Sequence, residues 1–313
     1  MQNFIFLSIK KCFSFLVLSI ISIFICQNGL CQLETKGTWK ARIKNDSVQI
    51  KFSYYDNRSF GTTEDYSIKE LSTLPENHQG EFGMTREAGT INFNGIFNNK
   101  EGSGSYIFTP AKDYVEFMKS QGLADLGNHD LFTFFLIDVN KKYPVMLRDN
   151  GYSMFSKTDI INLIALHIDE SYIRSLRQNG YRDIKPADMV TLKSVGVTGE
   201  YIRELNEIGY KNISVSNLIL MKAVGITPAY VKSFQSLGFN NIPESDLITM
   251  KSMDITAIYV KGFQDIGFKD FSFTEIMQLK SMSITADYVS DMQKKGLVYK
   301  SLVKYMQLKN LDR

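Results

Sequence analysis

The chain has 313 residues, 44% of them hydrophobic and 22% charged, with a formal net charge of +3. That balance is ordinary for a folded protein and excludes a disordered chain, and so small a net charge gives no basis for global attraction to nucleic acid or an anionic membrane. The length allows two structural regions.

The N-terminus carries Lys10 and Lys11, then an uncharged apolar run over residues 12–26, then a short polar stretch over residues 27–32. A charged segment followed by an apolar one is the order of a secretory signal, and the run is short for a membrane-spanning helix. The expectation is a signal peptide over residues 1–31, cut after Cys31 to leave Gln32 first. The competing reading is an uncleaved anchor, because residues 4–9 add apolar length before the lysines. Both readings place the chain in the periplasm or outside the cell. A lipid anchor is disfavoured, since Ile25 and Leu30 rather than small residues precede Cys26 and Cys31. All three cysteines lie in this segment, so the mature chain would have no disulfide. Its charge would be 34 minus 33, or +1, once Lys10 and Lys11 are removed.

From Gly37 the pattern has a period of two. Trp39, Ala41 and Ile43 alternate with Lys40, Arg42 and Lys44; after Asn45-Asp46, Val48, Ile50, Phe52 and Tyr54 alternate with polar residues. This predicts a hairpin with one buried face. Ile91, Phe93 and Phe97, the turn-rich residues 98–102 and the stretch 105–109 predict a second. Residues 55–80 are polar and irregular, with Phe82 and Met84 assigned to a further strand. The expectation is a small antiparallel β domain over 36–109 with Trp39 in its core.

Beyond residue 110 a tyrosine recurs every 29 residues: Tyr114, Tyr143, Tyr172, Tyr201, Tyr230, Tyr259 and Tyr288. Each is followed eight residues later by a glycine, from Gly122 and Gly151 through to Gly267 and Gly296. A fixed period of this size predicts a stacked helical array, here seven αα-hairpin units forming a helical solenoid over 110–313. The fold class expected is therefore α+β. Within a unit, an apolar residue such as Val197 or Ile226 precedes Asp169, Thr198, Thr227, Thr256 or Thr285, the residue types that cap a helix start. Helix A follows, with the tyrosine opening its apolar stripe and the glycine ending it, where positive φ is needed. Helix B opens after Ser156, Ser214, Ser272 or Ser301, with Asp159, Asp188, Asp246 or Glu275 in its first turn. One such hairpin cannot stand alone, so neighbours must supply the rest of its stability. The first unit follows the last strand directly, and the β region is expected to cap that end.

Two positions of the repeat are basic in copy after copy. On helix A they are Arg174, Arg203, Lys232 and Lys261; near the end of helix B they are Lys193, Lys222, Lys251, Lys280 and Lys309. If the units stack with little twist, these form two ladders that could hold an anionic polymer or an acidic protein face. Against this stands the helix dipole, which favours a lysine in a last turn without any ligand. The junction 221–231 resembles the helix-hairpin-helix of non-specific DNA binders, but Thr227 replaces its second glycine, and nucleic acid is not the expected partner. Enzyme chemistry is not expected. His78, His129 and His167 are isolated, His167 reads as a packing residue, and no metal-ligand, phosphate-loop or nucleophile motif occurs. Neither a catalytic residue nor a metal or cofactor site is assigned.

The wording of the repeat, as in residues 197–205 followed by Gly209-Tyr210 and residues 218–222, resembles a tail found on and beside bacterial antirepressor-type membrane metallopeptidases and in exported proteins. The strand holding Trp39 and the stretch 89–95 are similar to the segment that often precedes such repeats. The resemblance covers about residues 36 to 313 and carries over no catalytic residue, because the zinc-binding helix of those peptidases has no counterpart here. It implies a sensory or scaffolding role outside the cytoplasm. The expectation is an exported, non-enzymatic binding protein whose partner is a protein or an anionic envelope polymer. The alternative is an accessory or degenerate domain of an envelope hydrolase or peptidase, with a polar pocket where the β region meets Tyr114 and Tyr143; nucleic-acid binding is a distant third.

Overall fold

The computed structural model describes residues 35–54 and 61–311; the expected signal peptide lies outside them. The fold is α+β, an antiparallel sheet followed by helices. The chain divides into two compact units, Met1–Val145 and Met146–Arg313.

In the first unit, β1 (Thr35–Lys44), β2 (Ser47–Tyr54), β3 (Gly61–Ser67), β4 (Gly80–Arg86), β5 (Gly89–Asn98) and β6 (Glu101–Pro110) form one sheet in the order β3-β2-β1-β6-β5-β4. Both predicted hairpins form. Lys44 pairs with Ser47 around Asn45-Asp46, and Asn98 pairs with Glu101 around Asn99-Lys100. Asn99 and Lys100 have φ of 48° and 70°, the two positive values that match a two-residue turn to the twist of its strands. β3 was not expected, because only Tyr66 of its seven residues is a large apolar side chain.

Alternation sends one face of the sheet inward. Trp39 is 1% exposed, with Phe82 and Phe93 edge-on to it at 5.3 and 5.8 Å. Its indole N–H donates to the Ser105 carbonyl, which meets the cost of burying that group. Two helices, α1 (Lys112–Ser120) and α2 (Asn128–Leu136), belong to the same unit. Phe132 of α2 stacks on Tyr106 at 5.3 Å, and Phe135 lies 5.1 Å from Phe108. Arg86 fixes the end of α2 to the sheet. Its Nη1 donates to the Phe135 and Leu136 carbonyls at 2.7 and 2.8 Å, and its Nη2 to Glu70 at 2.7 Å.

After these come α3 (Lys142–Asp149), α4 (Lys157–Ala165), α5 (Glu170–Gln178), α6 (Pro186–Ser194), α7 (Gly199–Glu207), α8 (Val215–Ala223), α9 (Pro228–Gln235), α10 (Glu244–Ser252), α11 (Ala257–Asp265), α12 (Phe273–Ser281), α13 (Ala286–Lys294) and α14 (Leu302–Leu311). No helix among the described residues is long and apolar enough to cross a membrane. Odd-numbered helices from α5 to α13 each contact the next odd one, and α4, α6, α8 and α10 do the same among the even ones. The glycine eight residues after each repeat tyrosine has φ between 88° and 102°, so it ends helix A in the conformation that only glycine adopts without strain.

Candidate binding surfaces

The periodic tyrosine is placed by the residue that caps its helix. Asp169, Thr198, Thr227, Thr256 and Thr285 accept, through their side chains, the backbone N–H of Tyr172, Tyr201, Tyr230, Tyr259 and Tyr288. The tyrosine is thereby the third helical residue, and its ring turns into the core. The hydroxyl then donates to a carbonyl 25 residues further on: Tyr172 to Val197, Tyr201 to Ile226, Tyr230 to Ile255 and Tyr259 to Ile284, at 2.6 to 3.0 Å. Tyr114 makes the same bond to Val139 within the first unit. Burial pushes these phenols up, Tyr201 to about 12 and Tyr172, Tyr230 and Tyr259 higher still. They are neutral donors at physiological pH.

The helix-B lysines close over these rings. Lys193, Lys222, Lys251, Lys280 and Lys309 place Nζ 4.4 to 5.1 Å from the ring centroids of Tyr172, Tyr201, Tyr230, Tyr259 and Tyr288. All five are only half-exposed. The Lys280 ammonium also donates to the carbonyl of Asp254, a residue held at φ 52° just past the preceding helix B. This row is thus spent on contacts inside the protein, where a cation over an aromatic face contributes about 0.5 to 1 kcal/mol or more.

The helix-A row is exposed but mostly paired. Arg174 bonds Glu170 at 2.7 Å, Arg203 reaches Glu200 and Glu207 at 3.2 and 3.1 Å, and Lys261 bonds Asp265 at 2.6 Å, each within its own helix. Lys232 is exposed with no acidic partner among the described residues. The row reads as alternating charge rather than a continuous positive strip. Comparison with family models, with curated proteins and with solved structures returned no match.

A further set of bonds ties consecutive helices A at their C-terminal ends. Arg177 donates to the Asn150 carbonyl, Gln235 to Ile208 and Gln264 to Leu237, each reaching back 27 residues. The junction at 221–231 is similarly occupied, because the Thr227 hydroxyl takes the Tyr230 N–H that a phosphate would need. His167 is corrected from a packing residue to an exposed one. It sits at φ 51°, the position past helix B that Gly196, Gly225, Asp254 and Ser283 fill in later copies.

One basic row lies outside the repeats. Lys36, Lys40, Arg42 and Lys44, with Thr38 between the first two, are the exposed half of the β1 alternation, and Lys51 lies beside them on β2. The signal for it in the sequence is a cation at almost every second residue over 36–44.

Proposed function

We propose that the chain is an exported, non-enzymatic scaffold in which seven 29-residue αα-hairpin units form a solenoid that presents a binding surface to a protein or an anionic envelope polymer, in envelope sensing. The observation that carries this reading is the constant reach of the tyrosine bond, 25 residues from each of Tyr114, Tyr172, Tyr201, Tyr230 and Tyr259. A regular array gives each unit the same environment, and a bond of fixed span between successive units is how such an array is held. The exposed helix-A side chains then recur at one position per unit, as a row-like surface requires. The resemblance to the repeat tails beside membrane metallopeptidases supports an envelope role.

The test is crosslinking of the mature chain in an envelope fraction, side by side with the variant Arg203→Glu, Lys232→Glu, Lys261→Glu. Loss of a crosslinked partner in the folded variant, together with salt-weakened capture by the parent, supports the surface, since exposed charges act over about 10 Å at 0.1 M salt. Equal crosslinking by both shows a solvated face. N-terminal sequencing of the exported protein should begin at Gln32; recovery of residues 12–26 would show an anchor.

A further inference from the structure

The outer face of the sheet opposes charge to like charge. The β1–β2 register sets Lys40 directly across from Lys51, while Arg42 faces Glu101 on β6 and is bonded to it at 2.6 Å. Among the described residues neither Lys40 nor Lys51 has an acidic partner, and both are exposed. Like charges directly opposite on adjacent strands cost stability. The two lysines do not simply project into bulk solvent. They line a concavity of about 630 Å³ with Arg42, Thr63, Asn98 and Ser103. That volume is within the range of small-molecule sites, roughly 300 to 1,000 Å³, and beside the apolar Ala41 and Ile96 the lining carries three cations, Lys40, Arg42 and Lys51, against one carboxylate, Glu101. Glu101, on the wall of the concavity, is bonded to Arg42, and Asp65 of β3 is bonded to the Gln49 amide.

We propose that this concavity binds the oxyanion group, carboxylate or phosphate, of a small polar ligand, with Lys40 and Lys51 supplying charge and Thr63, Asn98 and Ser103 hydrogen-bonding capacity. The anion removes the lysine opposition, and bonds to ionised groups are the stronger ones in such a setting. The site uses none of the helical repeats, so it stands or falls independently of the scaffold function above.

The experiment is calorimetric titration of the full mature chain at fixed salt with tripolyphosphate, with trigalacturonate and with uncharged maltotriose. Saturable binding of a charged probe and none of maltotriose is expected, and which charged probe binds identifies the phosphate or the carboxylate source. Lys40→Gln and Lys51→Gln should each weaken that binding about tenfold or more, while Lys211→Gln, an exposed lysine in the second unit, leaves it unchanged. Without probe, each sheet variant should melt about 1 to 3 °C above the parent, because the opposition is relieved. The proposal is overturned if neither charged probe saturates, if Lys211→Gln weakens binding as much as the sheet variants, or if the sheet variants melt below the parent.

Discussion

Tyr201 and Lys222 isolate the repeating latch. The Tyr201 hydroxyl donates to the Ile226 carbonyl at 2.9 Å, with Tyr201 4% exposed and Ile226 fully buried, and Lys222 Nζ stands 4.4 Å above the ring. Tyr201→Phe keeps the ring and the lysine contact but deprives a buried carbonyl of its donor, a loss of about 1 to 2 kcal/mol. At a urea dependence of about 2 kcal/mol per molar, the unfolding midpoint should fall by roughly 0.5 to 1 M, read by far-UV circular dichroism. Lys222→Met keeps the stem and removes the charge, costing about 0.5 to 1 kcal/mol in the parent. In a Tyr201→Leu background the same lysine change should cost close to nothing, because no aromatic face remains. A Tyr201→Phe midpoint equal to that of the parent would refute the bond. A Lys222→Met cost independent of residue 201 would refute the cation–ring coupling.

Gly209 has φ 102° and an added Cβ would meet nothing within 4 Å, so Gly209→Ala should cost about 1 to 2 kcal/mol from backbone strain alone, measured by urea unfolding; a neutral result would show that the loop relaxes freely. Gly199→Ala fails by a different route, since its Cβ would lie 2.7 Å from that of Ser175 on α5, and Ser175→Gly should recover part of the loss. Arg86→Lys should destabilise the first unit by about 3 kcal/mol, because an ammonium cannot reproduce the fork onto Phe135, Leu136 and Glu70; near-UV dichroism of Trp39 reports it. Tyr201 and Tyr210 are raised by burial to about 12. The folded state therefore holds their protons more tightly than the unfolded state, whose phenols titrate near 10, and the stability they contribute is intact below about pH 10 and lost between about pH 10 and 12. Tyrosinate absorbance should rise together with loss of helix across that window, and a rise completed at pH 10 with helix intact would contradict it.

The helix ends within the 29-residue sequence period were legible because their punctuation is chemical. Thr198 must cap, Gly209 must take positive φ, and Tyr201 must fill a buried slot, so each residue type betrays its place. The hairpins around Asn45 and Asn99 were legible for the same reason. β3 was not, since Gly61–Ser67 offers the core only Tyr66, and its pairing with β2 is made by backbone bonds, which leave no mark on side-chain choice. The lysine rows illustrate the opposite difficulty. Lys193 to Lys280 recur with the period, but a cation in a last turn has the same appearance whether it faces solvent or an aromatic ring. A constant offset from each tyrosine does not distinguish the two, since the exposed helix-A row has one as well, and the ring contact shows only once Lys222 is seen over Tyr201.

The two sets of side-chain bonds run in opposite directions along the chain. Tyr201 reaches forward to Ile226, and Gln235 reaches back to Ile208. Excision of residues 197–225 would bring the Ile226 carbonyl to the place of Val197 for Tyr172, and would give Gln235 the carbonyl of Asn179. A cut that is not a whole multiple of 29 residues would misalign both at once. Duplication or loss of whole multiples of 29 residues is therefore the change in length that would leave a donor and an acceptor in register for both kinds of bond.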